Sequence, residues 1–107
     1  MKIQKKYFLT VCLNPCLDVN CYVDNLKIDD IIRIKQKKIN AGGKTFNTAK
    51  FLSNCGVNVL AIGIIAGNNG RRFSNLLKNS KISHPMLLEL PGETRENYNF
   101  FLKMDRY

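Results

Sequence analysis

Residues 40 to 52 read NAGGKTFNTAKFL, and this run gathers residue types that can do chemistry: paired glycines, a lysine and an asparagine. Gly43-Lys44-Thr45 has the form of the end of a Walker phosphate loop. That loop requires a glycine five positions before the Gly-Lys pair, so that successive N–H groups point at phosphate oxygens. The position is held by Lys38, and the residues leading in, IIRIKQKKIN, are β-branched and cationic. The run instead reads as a Gly-Gly turn opening a helix, because Phe46, Ala49, Leu52 and Cys55 recur behind it at helical spacing. A helix start preceded by glycines offers N–H groups without partners and no Cβ to block close approach, which suits an anion or a polar ligand. A plain turn before a core helix is the commoner role of such a dipeptide. Residues elsewhere in the chain have to decide between the two.

The elements that would position such a site follow from pattern. Tyr7 to Leu13 is a compact β-branched and aromatic run closed by Asn14-Pro15, which predicts a buried strand emptying into a loop, with Asp18 just beyond its end. Cys21 to Val23 and Ile31 to Ile39 are expected as shorter strands around the turn formers Asp24-Asn25 and Asp29-Asp30. After the Gly-Gly helix, Gly56 stands where a helix C-cap belongs. Val57 to Ile65 is an apolar strand of a covered sheet. Gly67 to Gly70 reads as a loop, Phe73, Leu76 and Leu77 mark a second helix, and Met86 to Leu90 and Asn97 to Met104 are strands separated by Pro91-Gly92. This alternation predicts an α/β layer with a parallel or mixed sheet. In such folds ligands sit beyond the C-terminal strand ends, which places Asn14 to Asp18 beside the Gly-Gly helix start.

Composition narrows the class. A chain of 107 residues with 45% hydrophobic content makes one folded unit, or part of one, and is not disordered. The net charge of +9 would suit a polyanion, but the cations are scattered along the chain and no nucleic-acid-binding signature accompanies them. Cys12, Cys16, Cys21 and Cys55 lack the paired C-x-x-C spacing of zinc sites and lie far in sequence from His84, so they read as free, mostly buried thiols in a reducing compartment. The first 18 residues mimic a signal peptide, but the apolar run is short, closes at Asn14-Pro15, and has Val11 where a small residue should precede the cysteine. No stretch approaches membrane-spanning length. A cytoplasmic location is expected.

Three separated pieces then fall into one order: NPCLD at 14 to 18, AGGKTFNTAK at 41 to 50 and GETREN at 92 to 97. Together they resemble the ribokinase and phosphofructokinase-B superfamily of carbohydrate kinases. The likeness is greatest to the sugar-phosphate branch that contains 1-phosphofructokinase and tagatose-6-phosphate kinase, and runs from Phe8 to about Phe101. The resemblance implies a ribokinase-like three-layer α/β sandwich, of which this is the N-terminal portion, with a small β lid sheet. Core residues would be 1–18 and 41–95, and lid strands about 19–39 and 96–105. It implies that Asp18 accepts hydrogen bonds from sugar hydroxyls, that Gly42 and Gly43 let the backbone approach the sugar, and that Asn47 donates and accepts there. Arg95, with Arg33 and Lys44, would meet the phosphate already on the substrate.

On the same resemblance the reaction is phosphoryl transfer from ATP, with Mg2+, to fructose 1-phosphate, and the lid sheet pairs two subunits. Tagatose-6-phosphate kinase or another sugar kinase of the family is the alternative substrate reading. A non-catalytic truncated fragment and a basic nucleic-acid-binding module are the alternatives of other classes. Membrane and nucleic-acid partners are not expected. Two departures stand out. Thr45 occupies a position where the family places glycine or another very small residue, and a β-branched side chain adds bulk there. The catalytic aspartate belongs to a Gly-Ala-Gly-Asp type motif that these 107 residues do not contain, and the nucleotide-binding loops are expected beyond them as well.

Overall fold

The computed structural model describes residues 6–82 and 84–102. Met1 to Lys5 of the signal-like N-terminus, and Lys103 and Met104 of the expected last strand, lie outside the described residues. The elements are β1 (Phe8–Cys12), β2 (Cys16–Val23), β3 (Ile34–Gly42), α1 (Lys44–Asn54), β4 (Val59–Ile65), α2 (Gly67–Leu77), β5 (His84–Glu89) and β6 (Arg95–Leu102). They form two three-stranded sheets, ordered β1-β4-β5 and β3-β2-β6. The first is wholly parallel; in the second, β2 runs antiparallel to β3 and parallel to β6. The expected α/β class with parallel and mixed sheets is the one observed.

Both helices pack on one face of the parallel sheet. Register sets that face: Cys12 pairs with Gly63 and Gly63 with Leu87, while Thr10 pairs with Ala61. Phe46 of α1 and Phe73 of α2 meet over it edge to face, with ring centroids 5.0 Å apart, and both are fully buried. Gly63 makes room for them: a Cβ there would stand 2.6 Å from Phe46 Cε2, so the strand must present bare backbone under the ring. Cys12, Ala49, Val59, Ala61, Ile65 and Leu77 complete the centre of the core.

The opposite face has no covering layer among the described residues. Leu9 and Val11 of β1 and Met86 and Leu88 of β5 are exposed, and Ile62 and Ile64 between them are half-buried. The expectation that Tyr7 to Leu13 is a buried strand is therefore corrected: only Thr10 and Cys12, the residues under the helices, are buried. The apolar pattern was right for a strand with two covered faces, and one face is covered here.

The strands expected at 57–65, 86–90 and 97–104 are found within about two residues of those bounds, as Val59–Ile65, His84–Glu89 and Arg95–Leu102, and three differences matter more to the site. The second strand is longer than Cys21 to Val23 and begins at Cys16, so Asp18 lies within a strand and not in a loop. The third strand is displaced from Ile31–Ile39 to Ile34–Gly42, because pairing with β2 carries it as far as the Cys16 rung, where Gly42 sits opposite. Gly67 to Gly70 is the first turn of α2 and not a loop. On α1 the buried stripe is Phe46, Ala49 and Ser53. Cys55 caps the helix end and is exposed, contrary to its expected place on the apolar face. Gly56, at φ 83°, follows in the left-handed conformation that such an ending favours, close to the expected cap.

The second sheet projects sideways from this core. The radius of gyration is 17.0 Å, against about 13 Å for a compact chain of about this length. Its central strand β2 buries Leu17, Val19, Cys21 and Val23 on one side. The other side carries Asp18, Asn20 and Tyr22.

Candidate functional site

The root of the second sheet meets the start of α1, and the candidate residues converge there. Asp18 is half-buried in β2, level with Asn40 on β3 and Asn97 on β6. Asn97 Nδ2 donates to Asp18 Oδ1 at 3.5 Å, and the Cys16 thiol donates to the same oxygen at 3.4 Å. Burial pushes the Cys16 thiol above its ordinary range, and the neighbouring Asp18 charge adds to this, so the sulfur stays protonated and able to donate.

Gly42, the last residue of β3, lies against the second carboxylate oxygen. A Cβ built on it would be driven into Asp18 Oδ2, so the glycine is the condition for the carboxylate's position. Gly43 follows at φ 112°, a conformation that disfavours side chains, and a Cβ would also press on Cys12 Sγ at 3.1 Å. It is the N-cap of α1 and no side chain caps the helix, so the first N–H groups remain available. Asn47 N–H closes the first helical bond onto the Gly43 carbonyl.

Arg95 opens β6, level with Cys16, and reaches the Asn14 carbonyl at 3.5 Å. It lines an open cleft of about 310 Å³ at the C-terminal ends of β1 and β4, with Asn14, Ala66, Gly92 and Thr94. Asp18, Gly42, Gly43 and Arg95 are thus brought together. Lys44 and Asn47 are exposed on the first turn of α1 beside them. Arg33 is not brought in: it precedes β3 at the end remote from Gly42, about 30 Å away along the chain.

Sequence reasoning missed Lys50. Its Nζ donates to the Ala41 carbonyl, next to Gly42, across the junction of β3 and α1. Burial lowers its pKa from the ordinary value, while the Asp18 carboxylate opposes that shift, so the two charges feel one another. A signal was present, since Lys50 follows Ala49 and sits four residues after Phe46, flanking the buried stripe of the helix. Cys16 and Asn97 were also missed as partners of Asp18, because a loop reading of 14 to 18 gives no strand register to pair.

The arrangement is a strand-borne carboxylate over bare glycine backbone, an uncapped helix start and flanking cations, suited to a ligand with both hydroxyls and negative charge. A model of the pfkB family carbohydrate kinases matches residues 9–102, and the chain belongs to that family. A possible 1-phosphofructokinase from Thermotoga maritima is 32% identical with a TM-score of 0.78, over 91% of this chain and 32% of that one. Phosphofructokinase-2 from Escherichia coli, solved in complex with fructose-6-phosphate, is 22% identical with a TM-score of 0.85, over 91% of this chain and 32% of that one. The fold is the ribokinase-like one of these phosphofructokinases. The chain spans about a third of the length of the solved structures it matches.

Proposed function

We propose that these residues are the sugar-phosphate-binding part of an ATP-dependent sugar-phosphate kinase acting on fructose 1-phosphate. The observation that carries this reading is the placement of the Asp18 carboxylate over Gly42, with Arg95 on the neighbouring strand, level with Cys16 as Gly42 is. An ionised carboxylate accepts hydrogen bonds from two or more hydroxyls, and the glycine lets the sugar approach the backbone. Arg95 offers a planar set of donors to a phosphate. Gly43 and the open N–H groups of α1 add favourable dipoles for an anionic ligand. Lys44 stands by as a second cation and Asn47 as a donor and acceptor; Arg33 has no place in the site of a single chain.

ATP with Mg2+ would supply the phosphoryl group and offset its charge in the transfer. Among the described residues no group of three or more His, Cys, Asp or Glu side chains converges, so none is assigned to the metal. What this chain does is hold and orient the acceptor. A second substrate reading, a 6-phosphorylated ketohexose such as tagatose 6-phosphate, is favoured by one observation: the solved Escherichia coli neighbour holds fructose-6-phosphate.

The second sheet is the proposed lid, and its outer end is the proposed contact between two copies. Tyr22 and Phe101 stack there at 5.3 Å beside Val23 and Leu102, in an open depression of about 940 Å³. Phosphofructokinase-2 from Escherichia coli is tetrameric in its inhibited form. A cytoplasmic location is supported by three buried free thiols, Cys12, Cys16 and Cys21. Among the described residues no helix is long and apolar enough to cross a membrane. A nucleic-acid partner is not proposed, because Lys37 and Lys38 on β3 face opposite sides and form no single stripe.

Calorimetric titration with fructose 1-phosphate, fructose 6-phosphate and tagatose 6-phosphate tests the proposal. Tightest binding of fructose 1-phosphate, with a loss of about a hundredfold in Asp18→Ala, is expected. Equal affinity of Asp18→Ala and the parent for all three sugars would sink it.

A further inference from the structure

Gly67 to Gly70 carries two asparagines whose purpose the sugar site does not explain. In the structure this run is the first turn of α2, and it is bound to the GETREN segment by a closed set of hydrogen bonds. Asn69 stands at the third helical position, where a helix leaves an N–H without a partner. That N–H donates to Glu93 Oε1 at 2.6 Å, so a carboxylate from 24 residues away caps the helix. The Asn69 side-chain amide donates to the Thr94 carbonyl at 3.0 Å and to Glu96 Oε1 at 3.1 Å. Its oxygen accepts from Arg72 at 3.2 Å, so both ends of the amide are used.

Thr94 is held from the other side as well. It is buried, its N–H donates to the Ala66 carbonyl, and its hydroxyl accepts from the Ala66 N–H, each at 2.9 Å. Gly67, at φ 65°, leaves the space that the Glu93 carboxylate fills. Residues 93, 94 and 96 are therefore all tied to the start of α2. Arg95 is the residue of that run whose side chain points elsewhere, to the Asn14 carbonyl and the cleft. The Thr94 carbonyl belongs to the peptide plane that ends at the Arg95 nitrogen. Fixing that plane fixes the direction from which the guanidinium departs.

We infer that Asn69 is a positioning residue for Arg95, holding the Thr94–Arg95 peptide to the first turn of α2 so that the guanidinium is aimed at the substrate phosphate. The inference rests on the sugar-phosphate reading given above. Asn69 touches no ligand itself. Its contribution is the orientation of a group that does, and misplacing such a group by about 1 Å costs much of its binding.

A double-variant cycle in the full chain tests this, with fructose 1-phosphate affinity read by titration and folding read by thermal melting. Asn69→Ala is expected to weaken binding about tenfold in the parent background, and less than about twofold when Arg95→Ala is already present. Glu93→Gln, which keeps the shape and removes the capping charge, follows the same pattern and serves where Asn69→Ala melts too low. Losses that multiply in the double variant, for both Asn69→Ala and Glu93→Gln, overturn the inference, because a general structural defect acts regardless of Arg95. If Arg95→Ala leaves affinity unchanged, the sugar-phosphate reading of Arg95 falls and the inference with it. If Arg95→Ala weakens binding and Asn69→Ala does not, only the positioning role falls.

Discussion

The Asp18 carboxylate and the backbone of Gly42 lie in direct contact across the β2–β3 pair, with no space for a side chain on the glycine. One residue supplies the acceptor and the other supplies its room, and the two come from strands joined by a long excursion.

Gly42→Ala is accordingly a site mutation in disguise. The new methyl group pushes the carboxylate off Asn97 and Cys16, while the β3–β2 ladder itself is kept. Sugar-phosphate affinity is expected to fall by at least about tenfold with little change in far-UV circular dichroism. A Gly42→Ala protein that binds as tightly as the parent would show that Asp18 is free to move and does not need this contact.

Lys50 ties the other side of the same turn. Lys50→Met frees the Ala41 carbonyl and removes a cation that interacts with Asp18; weaker binding of an anionic sugar by several-fold is expected, with Lys50→Arg recovering most of it. The pH dependence has a definite sign. Burial lowers the folded pKa of Lys50, so the unfolded chain binds the proton more readily between that value and 10.5. Relative to Lys50→Met, the parent should therefore gain stability as pH rises through that window. Parallel melting curves of the two proteins across this range would contradict the assignment.

Cys16 gives the opposite slope. Its folded pKa is raised above 9.0 by burial and by Asp18, so the unfolded thiol ionises first. The stabilisation is complete below about pH 9 and is lost as pH climbs through the folded value. Denaturant titrations at pH 8 and pH 10 should show a larger drop for the parent than for Cys16→Ala. An equal drop would mean that neither burial nor the Asp18 charge holds the folded thiol protonated.

Ser53 faces the core from α1 with a buried hydroxyl that has no hydrogen-bond partner among the described residues. Ser53→Ala is expected to stabilise the protein by about 1 kcal/mol, since the desolvation cost disappears and alanine is the better helix former. A lowered denaturation midpoint would reveal a partner that the buried oxygen needs.

The parts of this architecture that could be read in the sequence are those where one local rule acts alone. Phe46, Ala49, Phe73 and Leu77 repeat at helical spacing and do form the inner faces of α1 and α2. Gly42 and Gly43 precede a helix, and they do open it. What escaped depends on pairing between distant segments. Asp18 follows a proline in a run that looks like a loop, and it becomes a strand residue because Asn40 and Asn97 flank it. Gly67 to Gly70 has poor helix formers, and becomes helical because the turn before β6 caps it: Glu93 accepts from the Asn69 N–H and the Thr94 hydroxyl from the N–H of Ala66, the N-cap. Arg33 resembles its neighbours in charge alone, and only the direction of β3 shows that it points away from the site.

Asp18, Gly42 and Arg95 sit on the three strands of one sheet near its root, Gly42 and Arg95 on the Cys16 rung and Asp18 two residues along on the same face. Gly42 runs directly into the N-cap of α1 and Arg95 follows a peptide bound to the first turn of α2, so the root of this sheet is clamped to both helices and the three contacts keep one fixed spacing. Engagement of the sugar would then be nearly all-or-none, and an incorrectly shaped ligand that blocks one contact would forfeit the other two.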